Sequence, residues 1–251
     1  MKEFGTTEEW NVLKSGIIGK SIGFIPTMGA LHEGHLSLVK KSLIENDITV
    51  VSIYVNPTQF DNPEDLKKYP SALVEDKKLL EESGVDFLFL PEYKTLYPDE
   101  YTYRISETDL SRGLCGASRP GHFDGVLTVV MKLLNIVGAG RAYFGEKDYQ
   151  QYLLVKGMAE AFFLKTEIVP CPLVRESSGL AMSSRNRRLS SGGRETAPDF
   201  YKALNSGRPV KDIREILEKA GFEIDYIEEA YGRIFGAVYL DGVRLIDNVA
   251  R

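Results

Sequence analysis

The sequence predicts an α/β fold, namely a Rossmann-like, doubly wound parallel sheet followed by a small α+β C-terminal domain. Short apolar, β-branched runs alternate with helical segments over residues 21–169. Most of these runs lack alternating polar residues, as expected for strands that are buried on both faces of a parallel sheet. The pattern changes near residue 190, where short strands around a hairpin turn replace it.

The first domain is predicted to cover residues 1–190. Its strand candidates, in chain order, are residues 21–25, 49–55, 85–90, 142–144 and 166–169. Segments with apolar residues at helical spacing separate most of them, at residues 36–45, 72–83, 126–137 and 150–163. Strands and helices that alternate in this way are joined by right-handed crossovers, which place helices on both faces of the sheet.

The second domain is predicted to cover residues 191–251. A polar stretch opens at Ser191-Gly192-Gly193, and Arg208-Pro209 interrupts it. One helix is then expected at residues 213–220, with strands at 223–227, 234–240 and 243–246. Because Asp241-Gly242 is a hairpin-turn dipeptide, the last two strands should be antiparallel.

Composition limits the classes of function. The chain has 251 residues, of which 43% are hydrophobic, so it can bury a substantial core. Its net charge of −5 argues against non-specific nucleic-acid binding, so any anionic ligand must meet a local cluster of cations. The polar N-terminus and the lack of a long apolar run predict a cytoplasmic protein without a membrane segment. Cys115 and Cys171 are too isolated to indicate a disulfide framework or a structural zinc site.

The most informative motif is the turn that holds His32 and His35, two of the three histidines of the chain. It lies where the first predicted strand gives way to a helix, and the N–H groups of a helix N-terminus favour bound phosphate. The two histidines are three residues apart, which does not match the spacing of zinc-protease helices. We expect Gly34 to let a ligand approach the backbone. A pair of ordinary capping or surface histidines remains the alternative.

Other loops carry polar groups near the predicted strand ends. They are Asn56-Pro57-Thr58-Gln59, Arg119 with His122, Gly145-Glu146-Lys147-Asp148, and Met182-Ser183-Ser184-Arg185. Amides, hydroxyls and cations of this kind suit carboxylate and polyphosphate recognition, and ligands of open α/β sheets gather beyond the carboxyl ends of strands. Each loop taken alone could be turn or cap chemistry. Neither a P-loop nor a dinucleotide fingerprint is present.

Taken together, these segments resemble the pantoate–β-alanine ligase family, also called pantothenate synthetases. The matching segments run in register from residue 21 to about 190 and recur at Arg244-Leu245-Ile246-Asp247-Asn248. The His-x-Gly-His turn alone would indicate only the wider nucleotidyltransferase superfamily. The resemblance implies ATP-dependent ligation of pantoate and β-alanine through pantoyl adenylate, with release of AMP and pyrophosphate. It also implies Mg²⁺ on the ATP phosphates and a homodimer.

The resemblance further assigns roles to residues. His35 and His32, with Lys147 and Arg185, would be catalytic, and His35 would be the proton donor. Pantoate would contact Gln59, Gln151 and Arg119, and β-alanine would contact Gln59. The ATP site would comprise Met28, Gly29, Ala30, Leu31, His32, Glu33, Gly34, His35, Gly145, Glu146, Lys147, Asp148, Val174, Met182, Ser183, Ser184 and Arg185.

Some further positions are less clearly assigned. Asn56 and Tyr69 are second-rank candidates around the same cavity, and no protein ligand of the metal is identified. Asp76 is one candidate ligand, although a solvated helix face is the favoured interpretation of that residue. Ser71 stands where the family often has arginine. The C-terminal part is expected to be shorter than usual in the family, which would limit closure of a lid over the site.

Two other functions remain open from the sequence. One is a nucleotidyltransferase of the same superfamily that acts on another small acid or phosphate, which the set Gln59, Arg119 and Gln151 argues against. The other is a ligand-binding protein without catalysis, which the presence of His32, His35, Lys147 and Arg185 argues against. Pyrophosphate release that depends on pantoate would distinguish the ligase from both.

Overall fold

The computed structural model describes all residues from Met1 to Arg251 and contains two sheets. The first has six parallel strands in the order β1-β4-β3-β2-β5-β6. These strands are β1 (Lys2–Phe4), β2 (Ile22–Thr27), β3 (Ile48–Ile53), β4 (Phe87–Phe89), β5 (Arg141–Gly145) and β6 (Glu167–Cys171). The predicted doubly wound parallel sheet is confirmed, and all five predicted strands are present.

Helices cover both faces of this sheet. They are α1 (Thr7–Ser15), α2 (Glu33–Glu45), α3 (Pro63–Lys67), α4 (Leu73–Glu82), α5 (Tyr93–Leu96), α6 (Cys115–Ser118), α7 (His122–Val137) and α8 (Tyr149–Ala161). Short 3-10 turns lie at Pro57–Gln59, Leu110–Arg112, Glu146–Asp148 and Ser184–Arg188. None of the helices has both the length and the apolar character that a membrane crossing requires.

The strands are buried on both faces, as the apolar runs predict. In β2, Phe24 belongs to the larger hydrophobic cluster, whereas the neighbouring Ile25 belongs to the cluster on the other side of the sheet. In β5, Phe144 and Tyr143 divide in the same way. Successive side chains of a strand point to opposite faces, so an uninterrupted apolar run fills both layers.

The N-terminal segment contains an edge strand and a helix that the sequence analysis missed. Strand β1 pairs with β4 at the edge of the sheet. Helix α1 begins with a capping box in which Thr6 and Glu9 exchange hydrogen bonds, and its Trp10 is fully buried. The Thr-x-x-Glu spacing is visible in the sequence and could have predicted this helix.

The C-terminal sheet is antiparallel and consists of β7 (Glu223–Ala230), β8 (Arg233–Leu240) and β9 (Val243–Ala250). Its three strands and the helix α11 (Val210–Lys219) were predicted, but α9 (Ser191–Thr196) and α10 (Pro198–Leu204) were not. The helices pack on this sheet in a separate cluster that also contains Leu180 and Leu189. Tyr226 and Phe235 instead belong to the core of the first sheet, so the two parts of the chain share a packed interface.

The order of the strands reverses between β2 and β5. From β2 the chain adds β3 and β4 on one side, and then β5 and β6 on the other. Parallel pairing places Gly23 beside Arg141 and Phe24 beside Ala142. The loops that follow these two strands therefore leave the same edge as neighbours and open a crevice, which is where open α/β sheets bind ligands.

Gly125 provides a test of how α7 supports this edge. A Cβ atom at Gly125 would lie 2.3 Å from the carbonyl oxygen of Thr58 and 2.7 Å from the backbone nitrogen of Gln59. We expect Gly125→Ala to lower the free energy of unfolding by ~1–3 kcal/mol through overpacking. Urea denaturation measures the change.

Gly157 in α8 is the matched control, because a Cβ atom there meets nothing within 4 Å. Gly157→Ala should raise the free energy of unfolding by up to ~1 kcal/mol, since it restricts the unfolded chain without creating a clash. Equal effects of the two substitutions would contradict the close packing of α7 on the Pro57–Gln59 turn.

Candidate functional site

A cavity of about 220 Å³ lies beyond the carboxyl ends of β2 and β5. Most of the residues predicted for the site line it. They are Met28, His32, Gly34, His35, Gln59, Gly145, Lys147, Asp148, Gln151, Val174, Met182, Ser183, Ser184 and Arg185. Loops that are up to 157 positions apart in sequence are thus brought together by the sheet topology (185 minus 28).

The turn between β2 and α2 is anchored by a buried carboxylate. Asp76 of α4 is only 2% exposed, and its two oxygens accept hydrogen bonds from the backbone N–H groups of Ala30 (2.8 Å) and Leu31 (2.7 Å). Gly29 and Ala30 have φ angles of +80° and +51°, a conformation that needs such support in a non-glycine residue. The interpretation of Asp76 as part of a solvated helix face is therefore wrong. Both oxygens are bound to the backbone, and Asp76 is not among the residues that line the cavity, so the contacts seen are those of an anchor.

His32 is the N-cap of α2, so the capping interpretation and the site interpretation both apply to it. Its Nδ1 accepts a hydrogen bond from the backbone N–H of Gly34 at 3.1 Å. In neutral imidazole the proton must then be on Nε2, which is free to donate to a ligand. A Cβ atom at Gly34 would lie 2.8 Å from Cε1 of His32. Gly34 thus makes room for the His32 ring, and it also lines the cavity. Its expected contact with a ligand stays a prediction.

The rings of His32 and His35 lie 4.1 Å apart between centroids, with a tilt of 41°. Burial, with smaller contributions from His32 and Lys147, lowers the pKa of His35 to about 3. Burial and the Lys147 charge likewise lower the pKa of His32 to about 4. Nδ1 of His35 is buried without a hydrogen-bond partner. Both histidines are therefore neutral near pH 7 and can donate hydrogen bonds without carrying charge.

Lys147 lies on the 3-10 turn Glu146–Asp148, directly before α8, as the sequence predicts. Its ammonium group is 3.7 Å from the carboxylate of Asp148, and its side chain is 19% exposed. A cation at the start of a helix opposes the helix dipole, so its position is unfavourable until an anion binds there. Lys147 lines the same cavity as the two histidines, and its charge acts on both of them.

Arg185 also lines the cavity, where it is already ion-paired. Its Nη2 donates to Asp65 at 2.8 Å, and Arg188 donates to the other oxygen of the same carboxylate at 2.8 Å. Although burial alone would raise the pKa of Asp65, the two guanidinium groups hold it below its usual range. Asp65 was not recognised in the sequence, because it lies 120 positions away from Arg185.

Hydrogen bonds of the buried Asn56 side chain hold the Asn56–Gln59 turn in place. Asn56 is 1% exposed, donates to Oε1 of Gln59 at 3.0 Å, and accepts from the hydroxyl of Tyr97 at 2.8 Å. Nε2 of Gln59 lies 3.1 Å from the sulfur of Met28, which is a weak acceptor. Gln59 lines the cavity, and its amide nitrogen has no strong acceptor.

Arg119 and His122 support the backbone of the same turn. Nδ1 of His122 donates to the carbonyl oxygen of Gln59 at 2.8 Å, and Nε2 accepts from Arg119 at 3.1 Å. Arg119 also donates to the carbonyl of Gln59 at 3.2 Å and to Asp61 at 2.8 Å. It lines a neighbouring cavity of about 330 Å³ together with residues of the C-terminal sheet. Its contact with pantoate stays a prediction, and the contacts seen are those of a support.

Five of the predicted ATP-site residues do not line the 220 Å³ cavity. Gly29, Ala30 and Leu31 contribute through the backbone of the anchored turn described above. Glu33 is exposed, with its carboxylate 3.9 Å from Lys40. Glu146 faces away, towards Arg233 at 3.5 Å.

Some wall residues were missed by the sequence analysis. The hydroxyl of Tyr54 is buried without a partner in the wall of the cavity, two positions before Asn56. Val126, Val129, Val130 and Leu133 supply an apolar wall from α7. Tyr54 could have been identified in the sequence, because it lies two positions before Asn56. The valines and leucine of α7 could not, because an apolar helix face has the same sequence pattern whether it faces a core or a cavity. No group of three or more His, Cys, Asp or Glu residues is arranged to hold a metal ion.

The fold and the cavity define an α/β nucleotide-binding protein with its site at the switch point of the sheet. Residues 2–250 match the family model of pantoate-beta-alanine ligase, and the chain belongs to this family. It is 50% identical over 242 residues to the pantothenate synthetase of Bdellovibrio bacteriovorus, covering 96% of this chain and 95% of that protein. It is 49% identical over 252 residues to that of Legionella pneumophila, covering 99% of each.

Solved structures agree with this assignment. The pantoate-beta-alanine ligase of Francisella tularensis, complexed with beta-gamma ATP and beta-alanine, superposes with a TM-score of 0.95 at 43% identity. The match covers 100% of this chain and 97% of that chain. The pantothenate synthetase of Thermus thermophilus superposes with a TM-score of 0.91 at 39% identity, covering 100% and 99%. These relatives are about as long as this chain, so they share its short C-terminal part.

Because the Asp76 carboxylate anchors the turn, we expect its replacement by an uncharged amide to lower the stability of the protein. Asp76→Asn replaces one acceptor by an amide that faces a backbone N–H, so the buried donor loses its partner. We expect the free energy of unfolding to fall by ~1–3 kcal/mol. Asp109→Asn, at an exposed carboxylate, is the matched control and should leave stability unchanged. A stable Asp76→Asn protein would contradict the anchoring role.

His122 predicts how stability depends on pH. Burial and the neighbouring Arg119 lower the pKa of His122 to about 3, below the value near 6.5 that it has in the unfolded chain. Unfolding therefore takes up a proton between these values, and stability falls as the pH falls below about 6.5. His122→Asn should reduce this slope by about 1.4 kcal/mol per pH unit between pH 6 and 5.

Urea denaturation at several pH values measures the slope. His32 and His35 remain in the His122→Asn variant, so a weaker dependence on pH should persist. A slope equal to that of the original protein would show that His122 is not held neutral.

Proposed function

We propose that this protein joins pantoate and β-alanine to form pantothenate, using ATP and releasing AMP and pyrophosphate. The observation that carries the proposal is the convergence of the His32–His35 turn, the Lys147 turn and the Gln59 and Gln151 amides on one cavity. The family membership and the ligands named for the Francisella structure support the choice of substrates.

In the first step, a carboxylate oxygen of pantoate attacks the α-phosphorus of ATP. A P–O bond forms to the acyl oxygen, and the bond to pyrophosphate breaks. Displacement at phosphorus needs positioning and charge stabilisation more than covalent chemistry from the protein. Lys147 and Arg185, which both line the cavity, would supply positive charge to the phosphates. Gln59 and Gln151, which line the cavity, would hold the hydroxyl and carboxylate groups of pantoate.

The neutral state of the histidines refines their role. With pKa values of about 4 and about 3, His32 and His35 hold no proton to give as imidazolium near pH 7 in the free protein. Each instead offers an N–H hydrogen bond, and Nε2–H of His32 is oriented for this by the Gly34 contact. We therefore favour hydrogen-bond donation to phosphate oxygens over the proton donation expected from the resemblance for His35.

In the second step, the amine of β-alanine attacks the acyl carbon of pantoyl adenylate. A C–N bond forms, the bond to the AMP oxygen breaks, and the amine loses a proton. The 330 Å³ cavity between the two sheets adjoins the first and shares Gln59, Lys147 and Gln151 with it. We propose that β-alanine enters through it, and that residues 191–251 act as the lid domain beside residues 1–190.

Mg²⁺ is proposed to bind with ATP. Asp148 is the carboxylate that lines the 220 Å³ cavity, and Mg²⁺ in such sites is held by one or two carboxylates together with phosphate oxygens and water. The donor set therefore fits a metal that arrives on the nucleotide and does not form a separate cage. When bound, the ion would neutralise phosphate charge. A homodimer and a cytoplasmic location complete the proposal on the strength of the resemblance, and light scattering tests the dimer.

The decisive assay measures AMP and pyrophosphate from ATP with purified protein. Pyrophosphate should form only when pantoate is present, and pantothenate only when β-alanine is added too. Formation of ADP, or pyrophosphate release with another acid instead of pantoate, would overturn the proposal. A chelator should abolish both products, and added Mg²⁺ should restore them.

His35→Ala tests the role of the histidine turn. Loss of a hydrogen-bond donor that acts in the transition state should lower kcat by ~10²–10³-fold, while thermal unfolding changes little. His35→Gln, which retains an N–H donor, should recover part of the loss. An unchanged kcat in His35→Ala would remove this residue from the mechanism.

A further inference from the structure

The pair Asp247–Asn248 near the end of β9 belongs to a segment that stands out in the sequence, but neither residue lines the 220 Å³ cavity. We propose that these are positioning residues, with Asn248 holding the turn that carries Lys147 and Asp247 holding the loop that leads to Met182. The proposal deepens the proposed function, on which it rests for its kinetic test.

Asn248 is 3% exposed, and every polar atom of its side chain is engaged. Its Nδ2 donates to the carbonyl oxygens of Glu146 at 2.9 Å and Lys147 at 3.0 Å. Its Oδ1 accepts from Arg233 at 2.7 Å. One amide of the C-terminal sheet thus fixes two consecutive peptide groups of the Lys147 turn, and a third contact fixes the amide itself.

The Lys147 turn needs an external support. Its flanking residue Gly145 has nothing within 4 Å of a Cβ position, and Asp148 makes no side-chain cap to α8. The dipole of α8 also opposes a cation at this point. Arg233 strengthens the link by lying 3.5 Å from the carboxylate of Glu146 and 4.2 Å from the ring centroid of Tyr149. The orientation of the turn therefore depends on the other sheet.

Asp247 provides a parallel link to the second loop. It is 3% exposed and accepts a two-pronged ion pair from Arg175, with Nη2 at 2.9 Å from Oδ1. Arg175 also donates to the carbonyl of Gly179 at 3.1 Å and lies 3.6 Å from the ring centroid of Tyr201. The loop closes on itself through the bond from Met182 to Val174 at 3.0 Å. Two adjacent residues of β9 thereby hold two walls of the 220 Å³ cavity.

A merely structural contact between domains would predict something different. It would lower stability, and its effect on activity would add to that of any other substitution. A positioning role acts through Lys147, so the effect of losing Asn248 should disappear once Lys147 is gone. A double-mutant cycle between the two residues therefore separates these possibilities.

The test variant is Asn248→Asp, which keeps the shape and the Arg233 contact but cannot donate to the two carbonyls. We expect kcat for pyrophosphate release from ATP and pantoate to fall by ~10–10²-fold, as misplacement by about 1 Å can cause, with little change in Tm. In a Lys147→Ala background the same substitution should cause no further loss. Asn205→Asp, at an exposed position of the same C-terminal region, is the matched control and should retain full activity.

The pKa values of the histidines provide a second test of the positioning role, which does not require catalytic turnover. The charge of Lys147 lowers the pKa of His32 and His35 but is not among the groups that act on His122. If Asn248→Asp moves Lys147 away, NMR titration should show the pKa of His32 rising while that of His122 stays unchanged. Lys147→Ala should raise the pKa of His32 as well, and the double variant should match it.

Additive losses in the cycle, or an unchanged pKa of His32 in Asn248→Asp, would overturn the positioning role. If Asn248→Asp does not fold, Asn248→Ala takes its place in the same cycle and the same titration. If the unsubstituted protein releases no pyrophosphate, the proposed function is overturned but the positioning role is not. The NMR titration of His32 would then test the positioning role by itself.

Discussion

The site depends on the parallel pairing of β2 with β5, where the order of strands reverses. The chain continues from β2 towards one edge of the sheet and from β5 towards the other. A crevice therefore opens between the loops that follow these two strands. The histidine turn comes from one strand and the Lys147 turn from the other. The polar loops around the cavity surround this crevice. If β2 and β5 were not adjacent, the histidine turn and the Lys147 turn would lie apart.

A second constraint is electrostatic. The chain is acidic overall, yet its cavity brings together Lys147 and Arg185, with two histidines held neutral by burial and by the nearby positive charge. Carboxylates keep the cations in place: Asp65 holds Arg185, and Asp148 lies beside Lys147. An anionic ligand would relieve the repulsion among the cations and restore favourable interactions at two helix N-termini. The site is therefore built for polyphosphate at some cost to the empty protein.

The C-terminal part supports this arrangement as well as flanking it. Tyr226 and Phe235 pack into the main core, and Asn248 and Asp247 bind the loops of the first domain. This explains why a segment of β9 matches the family motif although it contributes little to the wall of the 220 Å³ cavity. Asp247, which belongs to this segment, does line the 330 Å³ cavity between the two sheets. A lid that moved as an independent body would have to break and reform these hydrogen bonds.

The sequence by itself determined five strands of the parallel sheet, the longer helices between them and the loops that carry the site, because apolar periodicity and strand-end turns are local signals. The family match extended this to the reaction, and Lys147 was found from its conflict with a helix dipole. Contacts between residues far apart in the chain left no local pattern to read. Asp76 looked like a surface residue, and Asp65, Asp247 and Asn248 had no assigned partners. Only the tertiary structure decided these pairings, because the burial of a carboxylate or an amide depends on which distant segment the fold packs against it.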